Sequence, residues 1–118
     1  PPVTLGVVLG GHAYVATNAK GEVLHGATRL ARMVLTETAY LVWVLRCERV
    51  IGERELLPGD LEADYVERRW RQALARRLAN DCALTRLRVG AKPALQPSSV
   101  EATWAGTLQD EQHLPPDW

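Results

Sequence analysis

The sequence predicts a mainly α fold: two long packed helices plus a short third helix, with a β-hairpin as one reading of the N-terminus. Three observations carry that expectation. Ala27 to Ile51 contains no Gly or Pro, and Leu30, Met33, Val34, Leu41, Val44 and Leu45 recur there at three- and four-residue spacing. Leu61, Tyr65, Val66, Trp70, Leu74, Leu78 and Cys82 form a second stripe at helical spacing. The 118 residues suit one domain spanning 1–118.

Residues 1–25 form the lead-in. Val3 to Leu9 is apolar and β-branched, which suggests a strand. Tyr14 to Thr17 and Glu22 to Leu24 flank the polar connection Asn18-Ala19-Lys20-Gly21, the pattern of a hairpin loop. Glycines at 6, 10 and 11 weaken the first strand, so an irregular or helical lead-in stays open.

The first long helix is bracketed by Gly26 and Gly52, and about 25 residues would run roughly 37 Å. Its centre, Ala39 to Leu45, is apolar all round and needs neighbours on more than one side. Leu57-Pro58-Gly59-Asp60 marks a turn, with Asp60 placed to cap the second helix and Glu62 and Asp64 in its first turn. That helix is expected to end near Ala83, and Thr85 to Gln96 reads as loop. Pro97 to Glu101 opens the short helix, with Ser98 and Glu101 in capping-box register. Val100, Trp104 and Leu108, four apart, would pin it to the core, and an extended tail follows.

Charge excludes some functions and suggests one. The formal net charge is zero, so no global field draws the chain to nucleic acid or to a membrane. The balance is uneven, however. Val66 to Lys92 holds eight bases and two acids, Gly52 to Tyr65 five acids and one arginine, and Pro93 to Trp118 four acids and no Lys or Arg. Arg68, Arg69, Arg71, Arg76, Arg77, Arg86, Arg88 and Lys92 are therefore the candidate nucleic-acid contacts, because guanidinium forks match phosphate. The competing reading is a solvated helix face paired with nearby acids, and it carries more weight. Trp70 falls on the apolar stripe and reads as core.

Candidate catalytic chemistry is thin. Asp60, Glu62 and Asp64 crowd together, but residues two apart on a helix point away from one another, and helix-dipole placement accounts for all three. His12 and His25 could meet across the hairpin, yet no carboxylate accompanies them. His113 lies in the tail. Ser98-Ser99 suit a cap better than a nucleophile, and Gly6, Gly10 and Gly11 match no phosphate-binding loop. Cys47 and Cys82 supply neither a zinc site nor a disulfide framework and read as buried thiols on facing helices; one disulfide between them stays open. No cofactor, metal ligand or catalytic residue is expected.

No signal peptide is visible, and Met33 to Leu45 is too short to span a bilayer, so the expectation is an intracellular chain. A start at Pro1 without methionine suggests a fragment or a processed product.

Gly26-Ala27-Thr28-Arg29-Leu30-Ala31-Arg32, Leu35 to Trp43 and Leu45 to Ile51 resemble a segment of basidiomycete fungal retrotransposon-derived polyproteins, which there follows the reverse transcriptase and ribonuclease H-like regions. Arg77 to Thr85, Thr103 to Leu108 and Leu114 to Trp118 are similar to later blocks of the same segment. The resemblance covers nearly all of the chain and implies a non-catalytic tail; it assigns no residue a role. Ribonuclease H chemistry needs carboxylates gathered around divalent metal, one of them on the first strand, and Val3 to Leu9 carries none.

Three functional expectations follow, in descending order. The first is a structural or interaction module, either a homodimer or docked on a larger polyprotein, because the apolar centre of the first helix is not fully covered by the other elements. The second is a nucleic-acid-binding domain using the basic stretch 66–92. The third is a small metal-dependent nuclease or hydrolase using His12, His25 or the Asp60 group.

Overall fold

The computed structural model describes residues 4–50, 63–116 and 118. The described residues are mainly helical, with four α-helices, two of them long, and one small antiparallel hairpin. In chain order these are α1 (Leu5–Leu9), a 3-10 turn (Gly11–Ala13), α2 (His25–Val50), α3 (Ala63–Arg86), β1 (Arg88–Val89), β2 (Lys92–Pro93), α4 (Pro97–Trp104) and a second 3-10 turn (Glu111–His113). The chain divides into two compact units. One comprises Pro1–Tyr14 and Arg32–Arg76, the other Val15–Ala31 and Arg77–Trp118.

The two long helices lie where apolar periodicity places them. α2 ends with Arg49 in its last turn, while α3 opens with Asp64 and closes with Arg86, charges that complement the helix dipole. The Leu57 to Asp60 turn, the Asp60 cap, Leu61 and Glu62 lie outside the described residues.

The N-terminal strand is corrected: Leu5–Leu9 is helical. The Thr4 hydroxyl accepts a hydrogen bond from the Val7 amide at 3.3 Å, capping a single turn that ends at Gly10. Strand propensity in Val7 and Val8 needs a partner strand, and none pairs with them among the described residues. The expected hairpin around Asn18–Gly21 shrinks to one antiparallel bridge, Thr17 with Val23. Its loop is nonetheless ordered by Asn18, whose side-chain oxygen accepts from the Lys20 and Glu22 amides at 2.9 and 3.0 Å.

The paired strands occur instead within the stretch read as loop. α3 runs three residues beyond Ala83, and Arg88 pairs with Pro93 and Val89 with Lys92. Gly90 makes the two-residue turn between them, at φ 65°.

In the first unit, Leu35 and Leu41 of α2 are buried. Leu35 packs against the backbone of Gly11, and the Trp70 indole on α3 donates to the Thr38 hydroxyl at 3.1 Å. In the second unit, Val100 and Trp104 of α4 are buried. Gly26 admits α4 to α2, since a Cβ there would run into the Ala102 carbonyl oxygen. The expected capping box at Ser98 and Glu101 does not form: Gln96 is the N-cap and makes no side-chain capping bond. Pro97 at the first helical position supplies a preset φ in its place. Leu108 lies past the end of α4 and is half-buried.

Candidate interaction surface

At 100° per residue, Arg32, Thr36, Tyr40, Trp43, Arg46 and Val50 occupy an arc of about 120° on α2. All six are exposed, within the first unit. Tyr40 and Trp43 keep 59% and 60% of their surface in solvent, and their ring centroids stand 5.9 Å apart. Val50, on the same arc, is exposed as well. The opposite side of α2 carries the contacts to α3: Thr38 with Trp70, and Glu48 with Arg69 at 2.8 Å. Packing against one long neighbour satisfies one side of the greasy helix and leaves its aromatic side in water. Exposed aromatic surface at this scale marks contact sites more often than chance.

A cleft of about 250 Å³ borders this face in the first unit. Leu41, Val44 and Ala73 make its apolar lining, and Glu37, Arg69 and Arg76 its charged rim.

The second unit is clasped by a polar cluster. Asp81, only 4% exposed, receives both ends of the Arg29 guanidinium at 2.6 and 2.7 Å, and the Trp104 indole N–H at 2.9 Å. Arg29 also donates to the Thr103 hydroxyl at 3.1 Å, which in turn donates to the Ser99 carbonyl at 2.6 Å. Burial pushes the Asp81 carboxyl up. The hydrogen bonds from Arg29 and Trp104, with the charges of Arg29 and Arg77, outweigh it and hold the group below the ordinary carboxylate range. The hydrogen bond to Asp81 likewise raises the Arg29 guanidinium further against its own burial. These bonds tie α2, α3 and α4 together within the unit.

The eight basic candidates are distributed between the units. Arg68, Arg69, Arg71 and Arg76 belong to the first, and Arg77, Arg86, Arg88 and Lys92 to the second. Arg69 is tied to Glu48 and lies 5.8 Å from the centre of the Tyr65 ring. Arg71 pairs with Glu67 one helical turn back, at 2.8 Å. Arg77 lends its charge to Asp81, and Arg88 donates to the Ala91 carbonyl at 3.3 Å. Arg68, Arg76, Arg86 and Lys92 are exposed.

His12 is exposed in the first unit and His25 is exposed in the second. Among the described residues no three His, Cys, Asp or Glu side chains gather where a metal ion could be held. Cys47 and Cys82 are free thiols, half-buried rather than fully buried. No helix among the described residues is long and apolar enough to cross a membrane.

Sequence reasoning missed the Arg29–Asp81–Trp104 cluster. One signal was available, because Asp81 falls beside Leu78 and Cys82 on the apolar side of α3, where an unpaired carboxylate would be costly. Comparison with protein-family models, with curated proteins and with solved structures finds no match.

Proposed function

We propose that the chain is a non-catalytic interaction module, of the kind found in the tail of a retroelement polyprotein, that docks another polypeptide on the exposed face of α2. The observation that carries this reading is the pair Tyr40 and Trp43, two large aromatics held in contact with each other and left mostly in water. Aromatic side chains are the groups on which interface energy concentrates, since they bury large area at small entropic cost. The resemblance of the Gly26 to Arg32 and Leu35 to Trp43 segments to polyprotein tails supports a chain that works as part of a larger assembly.

Display of randomised helical peptides against the chain tests the reading. Enriched peptides are expected to lose binding when Trp43→Ser is introduced. Enrichment that ignores both Tyr40 and Trp43, or no enrichment, contradicts it.

A second reading, nucleic-acid binding, is supported by the exposure of Arg68, Arg76, Arg86, Arg88 and Lys92. It requires salt-sensitive binding of DNA or RNA that weakens when two or three of these are replaced. Absence of binding at low salt ends it.

A further inference from the structure

The face of α2 carries charge as well as aromatic surface, and the charge has one sign. Arg32 and Arg46 stand at either end of the Tyr40–Trp43 patch, and both are exposed. Arg46 makes no ion pair with any described residue. The Arg32 Nε donates to the Tyr14 carbonyl at 2.8 Å, an anchor that leaves its two terminal nitrogens for other acceptors. α2 contains two acids, Glu37 and Glu48, and both lie outside the arc of this face: Glu37 lines the cleft together with Tyr40, and Glu48 holds Arg69.

A second copy is a poor occupant. Antiparallel self-pairing centred on Tyr40 and Trp43 would bring Arg32 and Arg46 of each copy to one seam with no carboxylate on this face among the described residues, and like charges at an interface are repulsive. The complement of this face is the opposite pattern. Arg32 and Arg46 are separated by about 21 Å along the axis, the rise of fourteen helical residues.

Resting on the docking reading above, we infer that the α2 face takes an amphipathic helix with an apolar stripe flanked by acidic residues about four turns apart. The stripe covers Tyr40 and Trp43, and the flanking carboxylates meet Arg32 at one end and Arg46 at the other. Arginine forks give such carboxylates bidentate partners, which sets register as well as attraction.

The test uses three synthetic helical peptides with the same leucine stripe and with Glu, Gln or Lys at the flanks, titrated by fluorescence anisotropy against the full chain. The Glu-flanked peptide is expected to bind about tenfold more tightly than the Lys-flanked one at low salt, a difference that narrows in 0.5 M salt. Trp43→Ser should remove binding of all three. Arg46→Glu, at an exposed position on the face, should cancel most of the preference for Glu flanks. Equal, Trp43-dependent binding of all three peptides overturns the acidic-partner inference and leaves the docking reading standing. So does self-association of the chain that Trp43→Ser abolishes. Binding to none, with a monomeric chain, removes both.

Discussion

Asp81 and Arg29, 52 residues apart in sequence, meet in a two-point ion pair whose acidic member is almost wholly removed from solvent. The pair joins α2 to α3, and through Trp104 and Thr103 it reaches α4.

Removing one partner strands the other. Asp81→Asn or Arg29→Met should therefore destabilise the chain by about 2–3 kcal/mol in urea unfolding. That is below the 3–5 kcal/mol of a fully buried pair, because Arg29 keeps about a third of its side chain in water. The double change Arg29→Met with Asp81→Leu should recover part of that loss but not all, since the Trp104 indole is left without its acceptor.

The same pair makes stability depend on acid. Asp81 titrates lower in the folded chain than in the unfolded one, so the unfolded state binds the proton first as pH falls. Its contribution is complete above the ordinary carboxylate value and disappears as pH drops through the lower, folded one. The stability gap between wild type and Asp81→Asn should be constant from pH 7 to about 5 and shrink progressively below about 4. A gap that stays constant to pH 2 would show that the carboxylate charge does not hold the cluster.

Gly26 sets how closely α4 approaches α2. Gly26→Ala puts a methyl group into the Ala102 carbonyl, which is backbone and cannot swing aside. A cost of about 1–3 kcal/mol is expected, with a changed near-ultraviolet signal from Trp104. Gly21→Ala is a contrasting control, because the space around it is open and only its positive φ resists the change.

The long helices were legible because each repeats apolar residues over six or seven turns, and that period survives any arrangement of neighbours. The short elements were not. Thr4 caps one helical turn at residues whose own preference is extended. The β1–β2 turn rests on Gly90 between Arg88 and Lys92, side chains that do not announce a strand. The apolar centre of α2 was expected to have neighbours on more than one side, yet Tyr40, Val42 and Trp43 are exposed, and which arc faces α3 depends on Thr38 and Glu48 meeting Trp70 and Arg69. Among the basic candidates, Arg69 and Arg71 are held by glutamates. The Glu67–Arg71 spacing was readable as a helical pair; the Glu48–Arg69 contact depends on two helices meeting. The central clasp was hidden because periodicity finds faces, not partners.

The most direct test of the docking face is urea unfolding of the chain carrying Tyr40→Ser together with Trp43→Ser. If these aromatics face water and await a partner, stability should stay within about 0.5 kcal/mol of wild type, as for exposed positions elsewhere. A loss of about 3 kcal/mol or more, the scale for emptying a buried aromatic site, would place them in the core and contradict the account.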